Sequence, residues 1–212
     1  MLRAMRIAIL IFERLTVLDA VGPYEVLSRL PGAELTFVSP EPGPKRADTD
    51  RLALVADAAI SDLVDPDVVV VPGGEGNRPL MRDDEVLDWL RAAHSSSTWT
   101  TSVCTGSLLL AAAGILEGKR ATTHWAYLDR LAELGATPVA ERVVEDGKVM
   151  TAAGVSAGID MGLTLAARIA GDDVAKAIQL GVEYDPEPPF DAGSPEKAPA
   201  AIVDAVRRLE GP

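Results

Sequence analysis

Thiols and imidazoles are scarce in this sequence, which has one cysteine and two histidines among 212 residues. A single cysteine excludes a disulfide bond within the chain. The cysteine and the two histidines, His94 and His124, are too scattered to match a known spacing of zinc ligands. We therefore expect no metal site.

Long apolar runs and basic clusters are also missing. Only about seven apolar residues precede Glu13, too few to span a membrane, and no cleavage signature of a secretory signal follows them. The formal net charge is −12 and the one notable basic cluster is the dipeptide Lys119-Arg120, a balance that repels nucleic acid phosphates and anionic lipids. Residues 73–76, Gly-Gly-Glu-Gly, lack the Lys-Ser/Thr of a phosphate-binding P-loop. The sequence therefore predicts a cytoplasmic protein with neither nucleic acid nor a membrane as partner.

Candidate strands alternate with candidate helices along the chain. Runs that favour β-structure predict strands at residues 5–12, 35–38, 67–71 and 99–103 and a hairpin at 145–150. Runs that favour helix predict helices at residues 22–30, 83–93, 107–113, 126–134, 157–170 and 172–182. This alternation predicts an α/β fold, a doubly wound, mostly parallel sheet with helices on both faces.

The C-terminal part departs from this alternation. Residues 184–199 are rich in proline and contain Tyr184 and Phe190, and residues 199–209 have the Ala, Val and Leu content of a helix. We expect a single α/β domain over residues 1–183, followed over residues 184–212 by a proline-rich arm and helix that pack on this domain or on a partner subunit. A disordered linker is the alternative.

The single cysteine, Cys104, lies where the predicted strand 99–103 gives way to the helix-favouring run Ser-Leu-Leu-Leu-Ala-Ala-Ala. In an open α/β sheet, loops converge on a site at this end of the strands. A helix N-terminus at that point lowers the pKa of a thiol and favours a thiolate nucleophile. An ordinary buried thiol is the alternative that the local sequence leaves open.

Other loops are predicted to reach the same edge of the sheet. Asp19, placed between apolar residues, is either a helix N-cap or a shielded carboxylate that exchanges protons with a nearby thiol. Gly73 and Gly74 form either a simple turn or a source of backbone N–H donors that face Cys104. His124 is expected to have a structural role beneath the site.

Three motifs occur together in the chain: Val-Val-Pro-Gly-Gly at 70–74, Ser-Val-Cys-Thr-Gly-Ser at 102–107, and Gly-Ile-Leu-Glu-Gly-Lys-Arg-Ala-Thr-Thr-His-Trp at 114–125. In combination they resemble the ThiJ/PfpI superfamily of flavodoxin-like proteins, which carry a cysteine at a nucleophile elbow. The segments 18–23, 141–144, 157–160 and 188–195 narrow the resemblance to the branch that hydrates organic isocyanides. The match runs nearly from end to end.

The resemblance implies hydration of an isocyanide, R–N≡C, to the N-substituted formamide through a covalent thioimidate. It implies Cys104 as the nucleophile, Asp19 as the general acid and base, and Thr105 beside the thiolate. A homodimer without a cofactor is implied as well. Around these residues we expect backbone N–H donors at Gly74 and Thr105, with Gly73 and His124 behind them.

At two positions this sequence differs from other branches of the superfamily, and two other functions compete with the predicted one. Thr105 follows the cysteine where peptidase-like members often carry His, and Asp19 stands where glyoxalase-like members usually carry Glu, so both of those activities are disfavoured. The ligand-sensing domains of AraC-type transcription regulators share similar motifs, but they are joined to a helix-turn-helix region, and no basic recognition helix occurs in this chain. A redox-responsive protein with an oxidisable Cys104 is the other alternative.

Overall fold

The computed structural model describes residues 4–210, except for the side chain of Glu210. Residues 1–3 and 211–212 lie outside the described residues, so the predicted domain 1–183, the predicted arm 184–212 and the expectation about the N-terminus are followed only within residues 4–210. The strands are β1 (Met5–Leu10), β2 (Ala33–Ser39), β3 (Gly43–Arg46), β4 (Ala53–Ala56), β5 (Ala58–Ala59), β6 (Val68–Val71), β7 (Trp99–Val103), β8 (Arg120–Ala121), β9 (Thr137–Pro138), β10 (Val143–Asp146) and β11 (Val149–Ala152). The helices are α1 (Val17–Leu27), α2 (Asn77–Leu80), α3 (Asp84–Ser96), α4 (Gly106–Ala112), α5 (Leu128–Glu133), α6 (Ala157–Ala170), α7 (Asp172–Gly181) and α8 (Ala200–Glu210).

A seven-stranded sheet with the order β10-β11-β7-β6-β1-β2-β5 lies at the centre of the fold. Its neighbouring strands pair in parallel except β10 and β11, which form the predicted hairpin around Gly147. Ile9 of β1 pairs with Val70 of β6, and Val70 pairs with Thr101 of β7. This register brings the carboxyl ends of β1, β6 and β7 to one edge of the sheet, where the candidate residues follow.

Both faces of the sheet are covered. Residues 7–10 of β1 and 68–71 of β6 are buried along their whole length, as expected for strands that have helices on each side. Helices α1, α6 and α7 pack in one group, and α4 packs with α2, α3 and α5 in a second group. The predicted doubly wound, mostly parallel α/β architecture is confirmed.

Helix α1 begins earlier than the sequence predicts. The prediction started this helix at residue 22 because Pro is favoured at the first helical position, whereas the helix starts at Val17 and contains Pro23 in its interior. An interior proline removes one backbone hydrogen bond and ordinarily destabilises a helix. Packing compensates here, because α1 lies directly against α6.

The bounds of two other predicted elements also differ from those in the structure. The predicted strand 5–12 ends at Leu10, and the predicted helix 126–134 is a 3₁₀ turn over Trp125–Tyr127 followed by α5. The short strands β3, β4, β5, β8 and β9 were not predicted, because runs of two to four residues carry too little periodicity to identify.

Glycines allow α6 to approach both α1 and the end of β7. A Cβ added at Gly158 would lie 3.1 Å from Val103 Cγ2 and 3.2 Å from Pro23 Cδ. A Cβ at Gly162 would lie 3.1 Å from the Cβ of Val26. The residue that precedes Cys104 is therefore packed against the same helix that supports α1.

The C-terminal segment returns across the domain. Residues 184–199 contain neither helix nor strand, and α8 follows them, close to the predicted 199–209. The Tyr184 hydroxyl donates to Asp160 Oδ2 at 3.0 Å, and the Arg207 guanidinium lies 5.5 Å from the centre of the Trp125 ring. Within residues 4–210, no helix combines the length and the apolar character needed to cross a bilayer.

The close backbone approach at Gly106, beside the cysteine turn, provides a stability test. A Cβ at Gly106 would lie 2.1 Å from the Val71 carbonyl oxygen, so Gly106→Ala must displace backbone. We expect this variant to lose about 2 kcal/mol or more of unfolding free energy, measured by urea denaturation. Gly181→Ala is the control, because a Cβ at that helical position meets nothing within 4 Å, and its stability should equal or slightly exceed that of the wild type. Equal stability of Gly106→Ala and wild type would contradict the packing described.

Candidate active site

Cys104 occupies a sharp turn between β7 and α4. Its φ of 56° lies in the left-handed region, which is unfavourable for a residue other than glycine and persists only when the surroundings enforce it. Its N–H donates to the carbonyls of Ala152 at 3.1 Å and Ala153 at 3.0 Å. Its own carbonyl accepts hydrogen bonds from Thr123 Oγ1 at 3.0 Å and Ser107 Oγ at 3.2 Å. The backbone of the cysteine is thus held from both sides.

Asp19 lies in the first turn of α1 and is fully buried. The N-cap residue of α1 is Thr16, so the alternative that Asp19 caps this helix is wrong. Instead, Asp19 Oδ2 accepts a hydrogen bond from the Gly73 N–H at 2.9 Å, and the carboxyl group also hydrogen-bonds to the Cys104 thiol. The fold brings together the two side chains that the sequence analysis assigned to the site.

The environment of Asp19 changes its acidity. The pKa of Asp19 is raised to about 7, chiefly by burial and to a smaller extent by the negative charge of Asp48, while the hydrogen bonds from Gly73 and Cys104 oppose the shift. A carboxyl group with a pKa near neutrality can both give and take a proton under physiological conditions. Asp19 therefore has the acidity that a general acid and base requires.

Gly73 and Gly74 connect Asp19 to Thr105. The Gly73 N–H is used by Asp19, and the Gly74 N–H donates to Thr105 Oγ1 at 3.0 Å. The expectation that Gly74 supplies a donor to the reacting atoms is corrected, because Thr105 takes that hydrogen. A side chain at Gly73 is excluded, since a Cβ there would lie 2.6 Å from Thr105 Oγ1 and 2.9 Å from Asp19 Oδ2.

Asn77 is a residue at the site that the sequence analysis missed. It is 2% exposed, and its Nδ2 donates to the Thr105 carbonyl at 2.7 Å. Asn77 is the only asparagine in the chain. Its position after the glycine-rich turn 73–76 carries no sequence pattern that predicts a contact with the cysteine loop. Only the fold brings it to Thr105.

The two histidines have different surroundings. A Cβ at Gly154 would lie 2.6 Å from His124 Cδ2, and the ring centres of Trp125 and Tyr127 lie 5.5 Å and 6.0 Å from that of His124. His94 lies in the last turn of α3, where its Nδ1 is 2.8 Å from Thr100 Oγ1. Burial, together with the charges of Lys148 and Lys119, lowers the pKa of His94.

A cleft of about 1020 Å³ opens over the cysteine turn. Cys104, Thr105 and Asn77 line it together with charged residues and with a set of larger apolar side chains: Met81, Leu108, Tyr127, Leu134 and Leu209. A small organic molecule can therefore reach the thiol. Among the described residues there is no group of three or more His, Cys, Asp or Glu side chains that could hold a metal ion.

Comparisons with known proteins identify relatives of this chain. The sequence model of the DJ-1/PfpI family matches residues 5–168. The isonitrile hydratase of Pseudomonas putida is 48% identical over 209 residues, which covers 99% of this chain and 91% of the relative. The crystal structure of a ThiJ/PfpI family protein from Pseudomonas syringae superposes with a TM-score of 0.94 at 40% identity, covering 97% of this chain and 86% of that one.

A transcription regulator is a more distant relative. The HTH-type transcriptional regulator CdhR of Pseudomonas aeruginosa is 31% identical over 179 residues, which is 82% of this chain and 52% of the regulator. This chain thus matches about half the length of that protein.

The raised pKa of Asp19 predicts a pH-dependent stability. The folded state holds a proton on Asp19 up to about pH 7, whereas the unfolded chain releases it near the ordinary value of 3.8, so unfolding free energy falls as pH rises through this window. Relative to Asp19→Asn, we expect the wild type to lose about 2 kcal/mol between about pH 5.5 and about pH 8. Denaturant titrations at both pH values measure this difference. The exposed Asp185→Asn should not show it, and a constant difference between wild type and Asp19→Asn would contradict the raised pKa.

Proposed function

The chain belongs to the DJ-1/PfpI family, and we propose that it is an enzyme that hydrates organic isocyanides, R–N≡C, to N-substituted formamides. The proposal is carried by one observation: the only thiol of the chain hydrogen-bonds to a buried carboxyl group whose pKa is about 7. The identity of 48% with the isonitrile hydratase of Pseudomonas putida, over nearly the full length, supports this substrate class and a hydratase of the lyase type.

The first half of the proposed reaction forms a covalent intermediate. The Cys104 thiolate attacks the terminal isocyanide carbon, a sulfur–carbon bond forms, and the carbon receives a proton from Asp19 to give the thioimidate R–N=CH–S–Cys104. The proton is assigned to Asp19 Oδ1, because Oδ2 already accepts the Gly73 N–H and no N–H or O–H of the described residues donates to Oδ1.

The second half adds water. The ionised Asp19 takes one proton from a water molecule as its oxygen bonds to the thioimidate carbon, and returns that proton to the nitrogen. The tetrahedral species R–NH–CH(OH)–S–Cys104 then expels the thiolate, and its hydroxyl proton goes back to Asp19. One water is consumed, one formamide is released, and both side chains recover their starting states.

Backbone contacts support these steps. The N–H of Thr105, next to the nucleophile, makes no hydrogen bond with another described residue, and we assign it to stabilise negative charge in place of Gly74. Gly73 keeps Asp19 in position through its N–H. The His124 ring, which packs against Gly154, is assigned a structural role. The proposal includes a cytoplasmic enzyme that works without a cofactor or metal ion and has neither nucleic acid nor a membrane as partner.

The rival function is ligand sensing. It has support from the regulator CdhR, which is less similar to this chain than the hydratase and about twice as long as the matched part. A sensor would bind a small molecule in the same cleft without turning it over. Turnover therefore separates the two functions.

Substitution of the two reacting side chains tests the mechanism. Cys104→Ala should abolish formamide production from a simple aryl isocyanide, and Asp19→Asn should reduce kcat by about 100-fold or more because proton transfer is lost. Formamide is measured by chromatography, with circular dichroism to confirm folding. Absence of wild-type turnover with several isocyanides would favour a sensing or redox role, and full activity of Cys104→Ala would contradict a cysteine mechanism.

We also propose that the protein is a homodimer in which residues 184–212 form an arm across the domain or the partner. Exposed apolar side chains on this segment support the proposal, with Phe190 78%, Ile202 53% and Leu209 85% exposed in the single chain. Size-exclusion chromatography with light scattering should give twice the 22.3 kDa chain mass. Removal of the chain after Glu183 should shift the species to the monomer, and a wild-type monomer at micromolar concentration would contradict the proposal.

A further inference from the structure

We propose that Asn77 is a positioning residue for the chemistry of Cys104, and that it acts through the peptide groups of Thr105. The inference rests on the proposed function for its kinetic consequence, although its effect on the thiol can be measured without any isocyanide. Asn77 touches the residue that follows the nucleophile, so its role is to fix geometry rather than to take part in bond making.

The contacts of Asn77 join two loops that are far apart in the sequence. Its side-chain Nδ2 donates to the Thr105 carbonyl at 2.7 Å, and its main-chain N–H donates to the Gly74 carbonyl at 3.2 Å. Gly74 in turn donates its N–H to Thr105 Oγ1 at 3.0 Å. Thr105 is therefore held by its carbonyl and by its hydroxyl from the same short segment, residues 74–77.

These two hydrogen bonds restrict the rotation of Thr105 as a whole. The Thr105 N–H lies in the same peptide as the Cys104 carbonyl, which Thr123 and Ser107 hold, and the bonds to the Thr105 carbonyl and hydroxyl fix the other side of the residue. Together these contacts set the direction of the Thr105 N–H. That N–H makes no hydrogen bond with another described residue. A preorganised donor beside the nucleophile stabilises negative charge on sulfur or on the reacting carbon without any reorganisation during the reaction.

Burial makes the Asn77 bond more effective than an exposed one. Asn77 is 2% exposed and Thr105 is 8% exposed, so water has little access to replace the amide donor if it is removed. A buried carbonyl that loses its donor is destabilised and tends to turn toward another partner. Such a turn would move the peptide next to Cys104, and small displacements of that kind reduce turnover by large factors.

The neighbouring side chains do not offer the same contact. Arg78, Met81 and Arg82 also line the cleft, but the two arginines are exposed, and none of the three hydrogen-bonds to Thr105. The Asn77 side-chain amide donates to the Thr105 carbonyl rather than to a molecule in the cleft. We therefore expect Asn77 to affect the rate of the chemical step much more than the affinity for substrate.

The kinetic test compares Asn77→Ala with the wild type. We expect kcat for isocyanide hydration to fall by about 10- to 100-fold while KM stays within about twofold. Thr164→Val is the matched control, because it removes a side-chain hydrogen bond to a backbone carbonyl of similar length, 2.8 Å to Asp160, within helix α6. That variant should lose stability without losing kcat. A retained kcat in Asn77→Ala, or an effect confined to KM, would overturn the proposal.

A conservative variant adds a signature that general destabilisation does not produce. Asn77→Asp presents a carboxyl group that can donate to the Thr105 carbonyl only when it is protonated. Its kcat relative to wild type should therefore increase as the pH is lowered from about 8 to about 5.5, because the missing donor is restored by protonation. A ratio that is independent of pH contradicts a donor role for position 77.

Thiol alkylation separates this inference from the proposed function. Cys104 is the only thiol, so its reaction with iodoacetamide can be followed by mass spectrometry without interference. We expect alkylation at pH 7 to be several-fold slower in Asn77→Ala than in wild type and unchanged in Thr164→Val. If alkylation is slower in Asn77→Ala but the wild type does not turn over isocyanides, the positioning role is supported and the hydratase is rejected. Equal alkylation rates in the two proteins would reject the positioning role, whatever the turnover.

Discussion

The approach of residues 73–77 to the turn after β7 is the constraint on which the site depends. Gly73 has no side chain because its Cβ would meet both Thr105 and Asp19, and Gly106 has none because its Cβ would meet the end of β6. Two parallel neighbouring strands make this contact possible by ending at the same edge of the sheet. The carboxylate, the thiol and Thr105 are then joined in one hydrogen-bonded group.

Burial of a carboxyl group gives this arrangement its chemistry. In water an aspartate is ionised at neutral pH and is a poor proton donor. Here the loss of solvent outweighs two stabilising hydrogen bonds, so Asp19 titrates near neutrality. The same burial disfavours the ionised form of the folded protein, and a link between function and stability follows from one side chain.

Much of the fold could be predicted from local patterns. The apolar runs of β1 and β6, the β-favouring run of β7 and the amphipathic α3 were identified because each carries a strong signal of its own. The start of α1 was missed, since Gly22-Pro23 locally favours a helix beginning and only the packing of α1 on α6 explains why the helix continues through it. Short strands such as β8 and β9 depend on partners that local periodicity does not reveal.

The sequence by itself determined the place of Cys104 between a strand and a helix, because the change of propensity falls on that residue. It also supplied Asp19 and Gly73 as candidates from their loops at the carboxyl edge of the sheet, and Thr105 from motif resemblance. Only the tertiary structure decided that Asp19 is a partner of the thiol and not a helix cap, that Gly74 gives its hydrogen to Thr105, and that Asn77 belongs to the site. The reason is physical: burial and hydrogen-bond partners are set by residues distant in sequence, which local propensity does not encode.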